Sequence, residues 1–181
     1  MQSTPIVHFI GGAQGEWAVR SIGPVAGDSV ADAAYMTVSD HPAVRAHSWD
    51  LAGSRSNLRY TTGVERGDLT ARQAGLGREG ARYAALLPIS KNDAWWDMAQ
   101  DERLDIYRRS QHTAIGMDYL PAIARRLHHG RDLGEPFDFL TWFEYAPEDE
   151  AAFDHLLDRL RATEEWRYVA REVDIRLERV V

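Results

Sequence analysis

An α+β fold is predicted for this chain, and three observations predict it. In the second half, segments with two-residue alternation and segments with a 3.6-residue apolar stripe follow one another as strand, helix, strand, strand, helix, strand. In the first half the candidate strands are short and bounded by glycine, as at Ile6 to Ile10 before Gly11 and Gly12. No linker rich in Pro, Ser or Gly divides the chain, so both halves are expected to share one core. The order in the second half is that of the split βαβ, or ferredoxin-like, unit. The first half holds enough strand for a truncated copy, although no sequence repeat joins the two. The expected division is residues 1–78 and 79–181.

Taken in order, Glu16 to Val25 alternates loosely and reads as a second strand, and Asp28 to Ala34 as a loop or weak helix. His47 to Leu51 and Asn57 to Thr62, separated by AGSRS, read as a hairpin. Asp68 to Leu76 is a short helix candidate capped by Asp68. Gly75, Gly77 and Gly80 spell G-x-G-x-x-G, but a helix candidate precedes them and a strand follows. A dinucleotide loop needs the reverse order, so the match is discounted. Ala81 to Leu87 is a buried strand ending at Pro88, and Ala94 to Met98 one helical turn. Asp101 to His112 is a helix with acidic residues in its first turn and His112 at its end.

Tyr119 to His129 fits either helix or strand. Strand is preferred because RDLGEP reads as a turn and Phe137 to Ala146 as a further strand. That choice puts Ile123, Arg125, Leu127 and His129 on one face and Ala124, Arg126 and His128 on the other. Pro147 to Thr163 is a helix with proline at its first position and Ala152, Leu156, Leu157 and Leu160 on one stripe. Glu172 to Val180 closes the chain as a strand with Val173, Ile175 and Leu177 on one face.

The bulk numbers narrow the function. A net charge of −7 over 181 residues argues against a general nucleic-acid surface. The absence of cysteine removes disulfides, thiolate metal sites, iron–sulfur clusters and thiol nucleophiles. The start, MQSTPIVHFIGG, lacks a basic segment followed by a long apolar one, and no apolar run is long enough to span a membrane. A cytoplasmic protein is expected. Two residues stand out between Gln111 and Arg131. A histidine such as His112 can bind a metal through a neutral imidazole nitrogen. An arginine among apolar neighbours, as Arg125 is, keeps its charge and can receive a small anion. His128 and His129 are alternative ligands, but adjacency on a strand puts them on opposite faces.

The segments LPISKNDAWW (Leu87–Trp96), SQHTAIG (Ser110–Gly116), LPAIARRLHHGRDLGEPFDFLTWFEYAP (Leu120–Pro147) and LRATEEWRYVAREVDIRL (Leu160–Leu177) together resemble the chlorite dismutase family. The short N-terminal half resembles the small, dimeric branch of that family. The resemblance is carried mainly by residues 79–181. It implies a dimeric α+β barrel of ferredoxin-like units and a homodimer. It also implies haem b (iron protoporphyrin IX) as cofactor and conversion of chlorite to chloride and dioxygen. His112 falls on the family's proximal iron ligand and Arg125 on its distal arginine. Glu165 falls on the carboxylate behind the proximal histidine, with Glu164 as the alternative. Lys91, Trp95 and Trp96 fall on haem-contacting positions, and Leu127, Thr141 and Phe143 on the lining of the distal pocket. Gln73 falls on a glutamine that approaches the distal arginine.

The same residues make chemical sense. Arg125 and Leu127 on one strand, and Thr141 and Phe143 on the next, would present one charge and one hydroxyl in an apolar setting. In such a setting a fixed guanidinium stabilises an anion better than water does. A carboxylate behind a metal-ligating histidine makes the imidazole more anionic and lowers the iron potential. Lys91 is expected to meet a haem propionate as a point charge. Two other readings are carried. One is a coproheme decarboxylase of the same fold, against which Arg125 argues and which Tyr145 does not by itself revive. The other is a haem-binding or sensing dimer without turnover.

Overall fold

A computed structural model describes residues 5–55 and 75–180. Among them are eight strands: β1 (Ile6–Gly12), β2 (Trp17–Ala26), β3 (Tyr35–Ser39), β4 (Trp49–Arg55), β5 (Tyr83–Lys91), β6 (Ala124–His129), β7 (Phe139–Tyr145) and β8 (Val169–Arg179). Helices α1 (Asp93–Asp97), α2 (Gln100–Arg109) and α3 (His112–Met117) lie between β5 and β6, and α4 (Glu150–Arg161) between β7 and β8. The strands close into a barrel in the order β1-β3-β2-β8-β5-β7-β6-β4, every neighbouring pair antiparallel. Each half therefore contributes four strands in the same spatial order: its fourth, first, third and second.

The crossover from β1 to β2 carries no helix. It passes directly over β3 at Gly15, where a Cβ would collide with the backbone of Met36. Only glycine permits so close an approach. The longer crossover from β5 to β6 carries α1, α2 and α3, and these cover the outside of the sheet.

Alternation along the strands sorts the side chains into two layers. Phe9, Trp17, Met36, Leu86, Trp142, Ile175 and Leu177 fill the barrel interior. Leu87, Ile89, Phe143 and Tyr145 point outward to meet Ile115, Phe153, Leu156, Leu157 and Leu160 beneath the helices. The stripe of α4 and the alternation of β8 are as expected from the sequence.

Several boundaries differ from the sequence reading. Residues 35–39 form a strand that alternation did not reveal, being short and only partly buried. The described part of AGSRS, Ala52 to Arg55, is not a turn: it continues β4. The second hairpin arm, Gln73 and nearly all of the 68–76 helix candidate lie outside the described residues. The strand expected to stop at Pro88 runs on to Lys91. Pro88 keeps its partner Leu140 on β7, while the β8 register passes from Leu86–Ile175 to Ile89–Glu172 without a pair at Pro88. The missing N–H is thus accommodated by a lapse in one ladder. The helix expected from Asp101 to His112 stops at Arg109, and Gln111 takes a left-handed conformation with φ of 51°. His112 opens α3 instead of closing α2. Neither glycine nor proline marks the break. It is held by tertiary contact, since the buried Ser110 hydroxyl accepts a hydrogen bond of 3.0 Å from the Glu165 N–H.

His128 points into the barrel, 2% exposed, with its Nδ1 on the Leu140 carbonyl at 3.2 Å and its ring edge-on to Phe9. Burial depresses its pKa from 6.5 to about 4. A base buried in its neutral form contributes stability that is complete above pH 6.5 and declines as pH falls towards 4. The loss across that window is expected to approach about 3 kcal/mol. Urea titrations at stepped pH measure it, and His128→Gln should flatten the slope.

Candidate active site

The site grows from the outer face of β5, β6 and β7. Register places Leu127 opposite Thr141, which faces Leu87, and Arg125 opposite Phe143, which faces Ala85. With a two-residue repeat, those side chains stand on one surface. The surface forms one wall of a cavity of about 110 Å³, reaching about 920 Å³ when its open cleft is counted. The opposite wall comes from α1, α2, α3 and the loop before β8, through Trp95, Tyr107, His112, Glu165 and Trp166.

His112 is held by one carboxylate. Its Nδ1 lies 2.8 Å from Glu165 Oε2, while Glu165 Oε1 accepts from Lys91 Nζ at 3.0 Å. The ammonium also reaches the Glu165 carbonyl at 3.3 Å and stands 4.4 Å from the centre of the Trp95 ring. The side chains of Lys91 and Glu165 are 4% and 8% exposed. Burial alone would raise the Glu165 pKa, but His112 and Lys91 together overcome it and hold the group at about 2. Burial pulls the Lys91 pKa down against the attraction of Glu165. The carboxylate is therefore ionised at neutral pH, accepts from both partners, and fixes the imidazole so that Nδ1 carries the proton and Nε2 is the available ligand atom. Nε2 has no hydrogen-bond partner among the described residues.

Two aromatic rings lie nearly parallel to the His112 ring. Tyr107 stacks at 4.8 Å between centroids and 21° between planes, and Trp166 lies at 6.2 Å and 27°. The Trp166 indole donates to Glu172 at 2.8 Å, and Glu172, 1% exposed, is paired with Arg161 at 2.8 Å. The Tyr107 hydroxyl pairs with Thr113 Oγ1 at 3.1 Å and is within hydrogen-bonding reach of Arg125. Burial raises the Tyr107 pKa in spite of Arg125, so the phenol stays protonated. The guanidinium thus lies on the same cavity as the imidazole, among Leu127, Thr141 and Phe143.

Of the residues singled out in the sequence, this cavity gathers His112, Arg125, Lys91, Trp95, Leu127, Thr141, Phe143 and Glu165. It is not lined by Trp96, which stacks on Phe139 and donates to Asp138 at 3.1 Å with Arg131 over its ring. Glu164 points away and pairs with the exposed Arg109 at 3.0 Å. Tyr145 is buried against Phe153 and does not reach the cavity. Lys91 differs from the propionate contact expected of it, since its ammonium is directed at Glu165. Tyr107 and Trp166 were not foreseen. Tyr107 reads as an apolar contact of a helix, and the break at Gln111 that turns His112 onto it has no local sequence mark.

One histidine oriented by a buried carboxylate faces an arginine across an apolar cleft on a barrel wall. The arrangement brings one imidazole nitrogen and one guanidinium to the same largely apolar cleft. The chain belongs to the chlorite dismutase family, whose model matches residues 31–180. It is 52% identical to the dimeric chlorite dismutase of Nitrobacter winogradskyi, superposing with a TM-score of 0.91 over 96% of this chain and 99% of that one. It is 30% identical over 123 residues to the chlorite dismutase of Ideonella dechloratans, covering 67% of this chain but only 41% of the length of that relative. A variant of the Candidatus Nitrospira defluvii chlorite dismutase, 23% identical, shares the fold with a TM-score of 0.62 over 75% of this chain and 56% of that one.

The Lys91–Glu165 pair gives a direct test of the site's construction. Removing one partner of a buried ion pair leaves the other charge uncompensated and typically costs about 3–5 kcal/mol. Lys91→Met and Glu165→Gln should each destabilise the protein by about that amount in urea unfolding. The double variant should lose clearly less than the sum, because no orphaned charge remains.

Proposed function

We propose that this protein is a haem b enzyme that converts chlorite into chloride and dioxygen, with His112 as the proximal iron ligand and Arg125 as the distal anion-binding residue. The observation that carries the reading is the Glu165-oriented imidazole on the same apolar cavity as the Arg125 guanidinium. The donor set fits the cofactor. Among the described residues no three His, Asp or Glu side chains converge as a metal cage. A metal at His112 must therefore arrive with donors of its own, as the iron of a porphyrin does. Leu87, Ile89, Phe139 and Leu160 offer the apolar contact that a porphyrin face requires.

When bound, haem held at His112 would supply the redox-active iron centre on which chlorite could be converted to chloride and dioxygen. Glu165 draws on the Nδ1 proton of His112 and makes the imidazole a stronger donor, while Lys91 keeps that carboxylate ionised. Tyr107 and Trp166 pack nearly parallel to that ring. Arg125 attracts chlorite by its positive charge and holds it among Leu127, Thr141 and Phe143, where little water competes. Trp95 is assigned as a haem contact, Trp96 as the ring that backs the Phe139 wall, and Gln73 as a partner of Arg125.

We assign residues 79–181 as the haem-binding ferredoxin-like unit and residues 1–78 as a truncated copy. The protein is read as a homodimer, because the four N-terminal strands carry no helix among the described residues and a relative with 52% identity is dimeric. No helix among the described residues is long and apolar enough to cross a membrane. A cytoplasmic location is proposed. Arg125 disfavours a coproheme decarboxylase.

His112→Ala should abolish or greatly weaken haem retention, measured by the Soret band after gel filtration with added haemin. Parent-like retention would transfer the ligand role elsewhere. Arg125→Ala should keep haem yet lose chlorite turnover at an oxygen electrode. Loss of one preorganised charged donor costs on the order of 10²–10³ in rate. The low end or below is expected, because iron still attracts the anion. The variant should also inactivate sooner than its parent, and unchanged turnover and lifetime would refute the role.

A further inference from the structure

Three cations line the cavity that holds His112, Lys91, Arg103 and Arg125, and among the described residues one carboxylate, Glu165, lines it with them. Lys91 is bound to Glu165 at 3.0 Å, and Arg125 reaches the Tyr107 hydroxyl from the sheet wall. Arg103 lies on α2 four residues before Tyr107, so the two share one face of the helix. Tyr107 stacks on His112. Arg103 therefore stands on the wall that carries the imidazole, one helical turn farther along α2.

The Arg103 Nε is buried without a hydrogen-bond partner, and no carboxylate among the described residues pairs with the guanidinium. The acids around it are engaged. Glu165 accepts from Lys91 and lies 2.8 Å from His112 Nδ1. On α2 and its cap, Glu102 accepts from the Ala99 N–H at 2.8 Å, Asp101 accepts from the Glu102 N–H at 3.0 Å, and Asp105 pairs with Arg108 at 3.7 Å. What holds Arg103 is a ring, since its guanidinium carbon lies 5.4 Å from the centre of Trp96. Trp96 is fixed in turn by its indole N–H on Asp138 at 3.1 Å and by its stacking on Phe139. An aromatic face attracts a guanidinium without neutralising it, so the charge remains available to a ligand. A buried N–H without an acceptor costs free energy that a carboxylate oxygen restores through a charge-assisted bond.

We propose that Arg103, held by Trp96, anchors a carboxylate on the edge of the group bound at His112, which under the haem reading is a propionate. The assignment rests on that reading and deepens it. Lys91 serves Glu165, Arg125 serves the substrate anion, and Arg103 serves the cofactor. Trp96 thereby gains a part that does not require it to line the cavity. A single axial nitrogen leaves a porphyrin free to turn about the bond to iron. The planar fork of a guanidinium on one edge carboxylate removes that freedom.

The test titrates the full chain, freed of haem, with haemin and with haemin dimethyl ester, whose propionates are neutral, followed at the Soret band. The parent should bind haemin about tenfold more tightly than the ester, the size of one charge-assisted hydrogen bond in a partly buried setting. Arg103→Gln should weaken haemin binding about tenfold and leave the ester unchanged. Arg103→Lys should fall between, keeping the charge but not the fork. Equal affinity of the parent for haemin and its ester overturns the proposal without recourse to any variant. Parent-like haemin binding by Arg103→Gln overturns it as well, and so does equal weakening of haemin and ester, which would mark a purely structural role. A parent that binds haemin through His112 without dependence on Arg103 overturns this assignment alone. A parent that binds neither porphyrin overturns the haem reading and this assignment with it.

Discussion

The arrangement of the site depends on one carboxylate. Glu165 lies in the short turn before β8, buried, and joins three parts of the chain that are distant in sequence. Lys91 comes from the end of β5, His112 from the start of α3, and Ser110 from the break that precedes it. A buried carboxylate would be strongly disfavoured without partners. With a lysine, an imidazole and its own N–H bound to a buried hydroxyl, the group becomes a constraint. It fixes where α2 must stop, how the histidine ring is turned, and which nitrogen faces the cavity. The strained Gln111 backbone, of a kind that costs about 1 kcal/mol or more, is tolerated because these contacts over-determine the turn.

This grip also explains why the aromatic residues lie where they do. Lys91 is surrounded by Trp95 and Trp166, whose faces accept an ammonium without neutralising it. Trp166 in turn is anchored by Glu172, and Glu172 by Arg161 at the end of α4. The histidine is thus tied through two successive carboxylates to the helix that packs behind the sheet. Movement of α4 would reach the imidazole through rigid, directional contacts.

How much of this was legible in the sequence follows from the range of each interaction. The pairing of faces on β6 and β7 was legible, because a two-residue repeat is local and Arg125, Leu127, Thr141 and Phe143 obey it. The stripe of α4 was legible for the same reason at a different period. The hydrogen bond between Lys91 and Glu165 spans 74 residues, and no periodicity reports on it. The same holds for the stop at Arg109, which rests on Ser110 meeting Glu165. Family resemblance located His112, Arg125 and Glu165, while local pattern alone left each with an ordinary alternative. Pro88 misled because a proline usually ends a strand, and here the barrel lets one ladder lapse beside it.

The two seams of the barrel are unequal. Along one, β2 and β8 pair from Trp17–Arg179 to Ala26–Glu172. Along the other, the described part of the β4–β6 ladder consists of Ser54–His129 and Arg55–His128. The long seam uses the last strand of the fold. During synthesis on the ribosome, β1 to β4 must therefore wait with the edge of β2 uncovered while more than a hundred further residues emerge. An uncovered strand edge invites pairing with other chains. The bulges that interrupt β2 at Val19–Ser21 and at Pro24–Ala26, and Pro24 itself, are the features that blunt such an edge. The irregularities of β2 thus protect the nascent chain during an interval that the finished barrel no longer displays.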